Sequence, residues 1–249
     1  MSSVAGDQIT LSADALVKRF GRKTVVNGAS LSMHNGEVVG LLGPNGAGKT
    51  TMFYMIVGFI TPTAGQILLD TRNVTPLPMY KRARLGISYL PQEPSVFRKL
   101  TVRDNVWAIL ELRQDLDVHS REARLQQLLL DLGLQDKAAQ PAYTLSGGER
   151  RRTEIARALA ANPRFLLLDE PFAGIDPIAV HEIKEIVRQL AASGIGVLIT
   201  DHNVRDTLEI TDRSYIITEG SIVVAGSRQE IASNQLARDV YLGSSFRLD

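Results

Sequence analysis

The stretch that decides the fold is GPNGAGKT, residues 43–50. Its spacing is that of a P-loop: a glycine, four residues, a second glycine, a lysine and a threonine. An apolar run at 38–42 precedes it and a helical pattern at 51–59 follows, so the context is strand, loop and helix. Glycines let successive backbone N–H groups point at one anion, and the start of the helix adds a positive dipole end. The stretch therefore predicts a nucleotide site.

Two side chains of this loop are suited to a triphosphate with Mg²⁺. Lys49 brings a mobile positive charge to the β- and γ-phosphates, and the hydroxyl of Thr50 suits Mg²⁺. A glycine-rich turn without function is the alternative, but a chance match with both flanks correct is rare. The predicted phosphate-binding residues are Gly43, Pro44, Asn45, Gly46, Ala47, Gly48, Lys49, Thr50 and Thr51.

The composition is that of a folded protein, and the absence of cysteine is consistent with a reducing compartment without proving one. With 249 residues, 44% of them hydrophobic, the chain can form one large domain or two lobes around a sizeable core. A net charge of +1 selects neither nucleic acid nor a membrane surface, and the absence of cysteine excludes disulfides and thiolate metal sites. No apolar run approaches the roughly 20 residues of a membrane span, and residues 1–10 lack the regions of a signal peptide. We expect a cytosolic chain that reaches a membrane only through partners.

The order of hydrophobic patterns predicts an α/β fold. Extended patterns lie at 9–42, 65–70, 87–90, 165–168 and 196–200, and helical patterns at 101–134, 149–161 and 178–192. Strands that alternate with helices predict a mostly parallel sheet. The helical patterns between about residues 95 and 145 predict a helical subdomain inserted into this core. We interpret 1–249 as a single domain.

Two acids follow a strand that is predicted to be buried on both faces. Residues 165–168 are consecutive apolar residues, and Asp169 and Glu170 come directly after them. Ligands of open parallel sheets collect at the carboxyl ends of the strands. Asp169 is therefore placed to hold Mg²⁺ and Glu170 to deprotonate an attacking water. An ordinary solvated turn is the alternative, and the upstream P-loop decides for the functional interpretation.

A third motif is LSGGE, residues 145–149. Ser146 and Glu149 have the spacing of a capping box that opens a helix. The adjacent glycines are unfavourable at a helix start unless a ligand or another backbone comes close. The predicted second anion site consists of Ser146, Gly147 and Gly148. We interpret the basic residues at 150–152 as a solvated helix face and expect no nucleic-acid partner.

These motifs, in this order, resemble those of ATP-binding cassette (ABC) ATPases. Residues 145–149 look like the signature motif of that family, and AGIDP at 173–177 looks like its D-loop. Gln92 resembles the Q-loop glutamine, His202 the switch histidine, and Phe20 the aromatic residue that stacks on adenine. The resemblance covers essentially the whole chain.

The resemblance implies a fold, a reaction and a set of roles. The fold is a P-loop ABC ATPase core with a mostly parallel sheet, an antiparallel β subdomain and a helical subdomain. The cofactors are ATP and Mg²⁺, with Thr50, Gln92 and Asp169 around the metal. The catalytic residues are Glu170, His202 and Gln92. Glu149 and Ile175 replace the commoner glutamine and leucine of their motifs, but neither change removes a group needed at the phosphates.

The resemblance also implies partners. In ABC ATPases the P-loop of one subunit faces the signature motif of the other, and this chain carries one copy of each. We therefore expect a homodimer in the ATP-bound state. Two transmembrane subunits are expected to contact the loop after Gln92, around Phe97 and Arg98.

Several stretches resemble one subfamily, the ATPase subunits that power lipopolysaccharide export from the inner membrane of Gram-negative bacteria. They are 89–93, 96–98, 145–152, 169–176 and the ending at 241–248, within a C-terminal region of about 225–249. The chain is then expected on the cytoplasmic face of that membrane. Two alternatives remain open: the ATPase of an importer, for example of branched-chain amino acids, and a soluble ABC ATPase of another assembly.

Overall fold

The protein is described by a computed structural model that covers residues 8–243 and Phe246. The strands are β1 (Thr10–Phe20), β2 (Lys23–His34), β3 (Val38–Leu42), β4 (Ala64–Leu69), β5 (Arg72–Asn73), β6 (Ile87–Leu90), β7 (Phe165–Asp169), β8 (Gly196–Thr200), β9 (Arg213–Thr218) and β10 (Ser221–Ser227). The helices are α1 (Lys49–Val57), α2 (Met79–Arg84), α3 (Val102–Leu110), α4 (Val118–Asp131), α5 (Gly147–Ala160), α6 (Pro177–Ala192), α7 (Val204–Ile210), α8 (Arg228–Ser233) and α9 (Gln235–Ala237). A π-helical turn, Arg238–Leu242, follows α9, and residues 244–245 and 247–249 of the predicted C-terminal region lie outside the described part.

The central sheet has the strand order β10-β9-β3-β8-β7-β6. All neighbours are parallel except β9 and β10, which form an antiparallel hairpin. Every residue of β3, β7 and β8 is buried, which explains why these strands are apolar in the sequence up to the polar residues that end β7 and β8. Their carboxyl ends meet at one edge of the sheet, as the sequence predicts.

A second, antiparallel sheet has the order β2-β1-β4-β5, so the predicted combination of a mostly parallel and an antiparallel sheet is confirmed. Helices α3 and α4 pack against α5. Val106 of α3 and Leu125 of α4 belong to the same apolar cluster as Leu166 of the central sheet. The helical part thus shares its core with the sheet, and its separate status as a subdomain stays a prediction. Within the described residues, no helix is long and apolar enough to cross a membrane.

The structure divides the predicted helical stretch into two helices. The side chain of Thr101 accepts a hydrogen bond from the backbone N–H of Asp104 and caps α3. The side chain of Asp117 accepts one from the backbone N–H of Ser120, at 2.7 Å, and caps α4. Each cap satisfies a donor that a helix start leaves free, so the chain between the helices ends one and begins the next.

A buried guanidinium, that of Arg82, fixes α2 to the end of α1. The Arg82 side chain is 1% exposed and donates to four backbone carbonyls. The acceptors are Leu77 O at 2.8 Å, Met55 O at 2.7 Å, Ile56 O at 2.6 Å and Thr75 O at 2.9 Å. Burial lowers the pKa of Arg82 to about 10, so the group stays charged at neutral pH. It therefore satisfies carbonyls in the last turn of α1 that have no partner within the helix.

We expect Arg82→Met to lower the free energy of unfolding by roughly 1–3 kcal/mol, because methionine fills the space but leaves the carbonyls without donors. The measurement is urea unfolding followed by circular dichroism. Arg84→Met, which removes an exposed arginine of the same helix, is the matched control and should change little. Equal stabilities of the two variants would contradict this role for Arg82.

Candidate active site

The P-loop joins β3 to α1, and two of its glycines are required by its shape. At Gly43 a Cβ atom would lie 2.1 Å from the carbonyl oxygen of Ile217, so no side chain fits. Gly48 caps α1 with a φ of +107°, in the left-handed region that glycine adopts freely. The backbone N–H of Gly220 donates to Ala47 O at 2.9 Å and holds the loop against the β9–β10 turn. Asn45 and Gly46, at the tip of the loop, are exposed.

The Lys49 ammonium lies inside the P-loop. Its Nζ donates to Gly43 O at 2.5 Å and to Pro44 O at 3.0 Å, and the residue is 9% exposed. Burial lowers the pKa of Lys49, while the carboxyl groups of Glu170 and Asp201 oppose the shift. A cation is thus held between the loop and the acids at the strand ends. In the next two positions of α1, Thr50 is exposed and Thr51 is half-buried.

Asp169 ends β7 and is 4% exposed. The Thr200 hydroxyl donates to its Oδ1 at 2.8 Å. Burial raises the pKa of Asp169, and hydrogen bonds from the hydroxyls of Thr200 and Tyr54 oppose the shift. Burial disfavours an unpaired carboxylate, so the site gains from a cation beside it. Thr200 and Tyr54 were not predicted from the sequence.

The side chains of Gln92, Glu170 and His202 come together. The Nε2 of Gln92 donates to Glu170 Oε2 at 2.7 Å, and His202 Nδ1 lies 3.4 Å from the same oxygen. They come from the loops after β6, β7 and β8, three adjacent strands of the central sheet. Glu170 has a φ of +43°, in the left-handed region that a residue with a long side chain rarely adopts. The three predicted catalytic side chains therefore share one corner of the sheet edge.

Asp201 is a further acid at this edge that sequence reasoning missed. It is fully buried, and burial raises its pKa. The backbone N–H of Asn203 donates to its Oδ1 at 2.8 Å, and that of Phe172 donates to its Oδ2 at 3.3 Å. Asp201 thus fixes the backbone around His202, which is itself 62% exposed. The available signal was its position directly after a buried strand, the same signal that identified Asp169.

The signature motif forms the predicted capping box at the start of α5. The backbone N–H of Ser146 donates to Glu149 Oε2 at 2.9 Å, and the backbone N–H of Glu149 donates to Ser146 Oγ at 3.3 Å. At Gly148 a Cβ atom would lie 2.8 Å from the Cβ of Ala179, so the close approach of α6 explains this glycine. Among the described residues, no hydrogen bond joins Ser146, Gly147 or Gly148 to the P-loop of the same chain. The second anion site stays a prediction.

The interpretation of residues 150–152 as a solvated helix face is wrong for Arg151. This side chain is 6% exposed, and its Nη1 donates to Pro91 O at 2.7 Å and to Glu154 Oε2 at 3.2 Å. The other carboxylate oxygen of Glu154 accepts from the backbone N–H of Ser95 at 2.5 Å. The start of α5 is thereby tied to the loop that carries Gln92. The only sign of this ion pair in the sequence was the i, i+3 spacing of Arg151 and Glu154.

The remaining predicted residues lie on the surface. Phe20, at the end of β1, is 50% exposed, and the Nζ of Lys18 lies 5.1 Å from the centre of its ring. Phe97 is 47% exposed, and the Arg157 guanidinium lies 4.4 Å from its ring centre. Asn105 Oδ1 accepts from the backbone N–H of Phe97 at 2.7 Å, so the loop is fixed while the ring faces outward. Arg98 is exposed.

The predicted metal residues fit Mg²⁺ only together with a nucleotide. In the described part of the chain, no three His, Cys, Asp or Glu side chains are grouped closely enough to hold a metal ion by themselves. Mg²⁺ is usually held by one or two carboxylates together with substrate phosphates. Asp169 supplies one buried carboxylate, Thr50 an exposed hydroxyl, and Gln92 an amide next to Glu170. These three side chains supply too few ligands for Mg²⁺ by themselves, and the phosphates of a bound nucleotide would supply the others.

Comparisons with known proteins agree with this geometry. The ABC transporter family matches residues 26–173. The lipopolysaccharide export system ATP-binding protein LptB of Acidithiobacillus ferridurans is 56% identical over 238 residues, which are 96% of this chain and 98% of that protein. The protein of the same name from Escherichia coli K12 is 52% identical over 239 residues, 96% and 99% of the two chains.

Solved structures of ATP-binding cassettes have the same fold. The crystal structure of the ADP conformation of MJ1267, a cassette of an ABC transporter, superimposes with a TM-score of 0.84 at 28% identity, over 95% of this chain and 99% of that one. A nucleotide-free cassette gives a TM-score of 0.83, also at 28% identity, over 95% and 100% of the two chains. The chain therefore belongs to the ABC transporter family, as one of its ATP-hydrolysing subunits.

Proposed function

We propose that this chain is the ATPase of a transporter that extracts lipopolysaccharide from the inner membrane of Gram-negative bacteria for export to the outer membrane. The observation that carries the proposal is the similarity of 96% of the chain to lipopolysaccharide-export ATP-binding proteins, at 49–56% identity. The chain then works at the cytoplasmic face of that membrane, held there by partner subunits.

The proposed reaction begins with ATP held by the P-loop. Lys49 and the backbone N–H groups of the loop bind the β- and γ-phosphates, and Phe20 stacks on the adenine ring. Thr50, Gln92 and Asp169 hold Mg²⁺, which when bound offsets the negative charge of the phosphates. The contact of Lys49 with the carbonyls of Gly43 and Pro44 supports this role, because it keeps the ammonium where a phosphate arrives.

Glu170 is the proposed general base. Its carboxylate takes a proton from the water that attacks the γ-phosphate, and Gln92 and His202 orient the reacting groups. The shared contact at Glu170 Oε2 supports this division of roles, since Gln92 from the loop after β6 donates to this oxygen and His202 from the loop after β8 lies 3.4 Å from it. His202, largely exposed, is free to contact the phosphate itself.

Two copies of the chain form the proposed ATP-bound state. Ser146, Gly147 and Gly148 of one copy donate to the γ-phosphate held by Lys49 of the other, so that hydrolysis removes the bridge between them. The start of α6 supports an interface here. Ile178, directly after the D-loop, is 75% exposed, an unusual place for a large apolar side chain.

The transmembrane partners are proposed to bind beside Phe97 and Arg98. A cleft of about 390 Å³ lies next to this loop, with Gln92 and Glu93 on one wall and Arg150 and Glu154 on the other. Gln92 touches Glu170 on its other side, so a partner in the cleft contacts the same loop that reaches the catalytic corner. An exposed aromatic ring with a basic neighbour suits a partner segment that offers apolar and acidic side chains.

The test of the proposed function is a pull-down with tagged Glu170→Gln protein and ATP from detergent-solubilised membranes, with the captured proteins identified by mass spectrometry. We expect two transmembrane proteins with large periplasmic β-rich domains. Capture of compact permeases together with a periplasmic binding protein would indicate an importer and contradict the proposed export function. Capture of no membrane protein would contradict a transport role.

We expect Phe97→Ala to weaken capture of the transmembrane partners by roughly 30-fold or more, the effect of losing an aromatic residue from the centre of an interface. Binding of ATP to the isolated chain should not change, because the Phe97 ring lies beside Arg157, which is not a residue of the proposed nucleotide site. Leu130→Ala, at an exposed apolar position of α4, is the matched control and should retain the partners. Equal capture by both variants would place the contact elsewhere.

A further inference from the structure

A buried lysine, Lys184, joins α6, which begins at the end of the D-loop, to α7, which begins shortly after His202. Lys184 lies on α6 and is 5% exposed. Its Nζ donates to Asp206 Oδ1 and to Glu209 Oε2 of α7, at 2.6 Å each. Burial lowers the pKa of Lys184, but the hydrogen bonds and charges of the two carboxylates outweigh burial and raise the pKa above its ordinary value. The ammonium therefore stays charged at physiological pH inside the protein.

Asp206 connects Lys184 to the loop that carries His202. Its Oδ2 accepts a hydrogen bond from Asn203 Nδ2, and its backbone N–H donates to Asn203 Oδ1 at 3.2 Å. On the other side, the backbone N–H of Asn203 donates to Asp201 Oδ1 at 2.8 Å. Asp201 comes directly before His202 in the chain, and Asn203 directly after it. The backbone of His202 is thus held between a buried acid and an asparagine that the Lys184–Asp206 pair fixes.

The ring of His202 depends on this backbone for its position. The side chain is 62% exposed, so packing does little to hold it. Its Nδ1 nevertheless lies 3.4 Å from Glu170 Oε2 and 3.5 Å from Asp201 Oδ1. Misplacement of a reacting group by about 1 Å can cost roughly 100-fold in rate. The contacts that hold the loop on either side of His202 therefore bear on the proposed reaction.

Cohesion of the two helices does not by itself account for Lys184. Arg188, one turn further along α6, also joins α6 to α7, because its Nη2 donates to Glu209 Oε1 at 3.0 Å. Glu209 therefore pairs with two cations, whereas Asp206 pairs with Lys184 only in the part of the chain that the structure describes. A buried ion pair adds little net stability, because desolvation of the charges offsets their attraction. The distinct effect of the Lys184 charge is the placement of the Asp206 carboxylate.

We propose that Lys184 is a positioning residue for ATP hydrolysis, which holds His202 beside Glu170. The ammonium fixes the carboxylate of Asp206, and this carboxylate fixes the side chain of Asn203. Asn203 in turn holds the backbone next to the imidazole. The phosphate-binding residues of the P-loop take no part in this path, so the affinity for ATP does not depend on it. This inference rests on the proposed role of His202.

The test is Lys184→Met in the full-length chain, a substitution that keeps a long side chain and removes the charge. We expect kcat for ATP hydrolysis to fall about tenfold and KM for ATP to stay within about twofold, because the reacting groups are displaced while the phosphate contacts are kept. The second readout is the NMR signal of the His202 ring. The chain has four histidines, and His202→Ala identifies the signal by its loss. We expect this signal to shift or broaden in Lys184→Met.

Arg188→Met is the matched control, since it removes the other cation that joins α6 to α7 and leaves Asp206 paired with Lys184. It should keep the kcat and the His202 signal of the wild type. Asp206→Asn is a second variant, at a side chain that is 24% exposed. It keeps the shape of the residue but has one acceptor oxygen where Lys184 and Asn203 need two. It should reproduce the lower kcat and the altered His202 signal even where Lys184→Met does not fold.

The possible results separate this inference from the proposed function. A lower kcat at an unchanged KM, with an altered His202 signal and Arg188→Met like the wild type, supports the positioning role. A wild-type kcat in Lys184→Met or, where that variant does not fold, in Asp206→Asn would overturn it. A lower kcat with an unchanged His202 signal, or equal losses in Lys184→Met and Arg188→Met, would assign Lys184 to stability of the fold and also overturn it. Hydrolysis of ATP by His202→Ala at the wild-type rate would overturn the proposed role of His202, and this inference with it.

Discussion

Glu170→Gln should reduce kcat for ATP hydrolysis by about 10²- to 10⁴-fold, the usual contribution of a general base. Glutamine has the same shape as glutamate and can still accept the hydrogen bond that Gln92 Nε2 makes to the side chain at 2.7 Å. It cannot accept a proton at physiological pH. The substitution therefore removes the chemistry and keeps the geometry of the corner formed by Gln92, Glu170 and His202.

Binding of ATP to Glu170→Gln should be retained, because the residues that hold the phosphates are unchanged. The measurement combines steady-state phosphate release with equilibrium binding of ATP, in the wild type, in Glu170→Gln and in a control variant. Glu111→Gln, at an exposed position after α3, is the matched control and should hydrolyse ATP at the wild-type rate. Turnover of Glu170→Gln within tenfold of the wild type would remove Glu170 from the role of base.

Lys49→Ala should weaken ATP binding by about 10- to 150-fold. Hydrogen bonds to charged groups contribute roughly 1.5–3 kcal/mol, and each 1.4 kcal/mol is a tenfold change in affinity. The Lys49 ammonium already lies within the loop, where Gly43 O and Pro44 O hold it. Alanine supplies neither the charge nor the donors.

The assigned roles require Lys49→Ala and Glu170→Gln to impair different properties of the protein. Lys49→Ala loses affinity, whereas Glu170→Gln loses turnover at an unchanged affinity; calorimetric titration with ATP separates the two. Lys81→Ala, which removes an exposed lysine of α2, is the control for the loss of a positive charge and should bind ATP like the wild type. Comparable losses of affinity in Lys49→Ala and Glu170→Gln would contradict both roles.

The sheet edge was predictable because burial on both faces leaves a plain pattern in the sequence. The fully buried strands β3, β7 and β8 are apolar up to their carboxyl ends, and residues of the proposed site stand at or directly after those ends. The carboxyl ends of parallel strands must meet, so Lys49, Asp169 and His202 are placed near one another by topology alone. This inference needs no side-chain contact.

Other elements were not predictable because distant contacts stabilise them. Helix α2 lies between the extended patterns at 65–70 and 87–90, where no helical pattern is predicted, and the buried Arg82 that fixes it reaches a carbonyl 27 positions away. Hairpin β9–β10 was not predicted either, although its turn at Glu219 and Gly220 has positive φ at both residues, a conformation typical of tight hairpins. The buried Arg151 depends on chain segments that meet only in the folded protein, since its partner Pro91 lies 60 positions away.

The left-handed backbone at Glu170 sets folding against activity at a single residue. A non-glycine side chain in this conformation raises the energy of the folded state by on the order of 1–2 kcal/mol, and glycine would adopt it freely. The carboxylate that touches Gln92 and lies beside His202 is thus kept at the expense of thermal stability. Selection for stability of the folded state alone would favour replacing Glu170, the side chain proposed to activate water. Selection for ATP turnover would retain it.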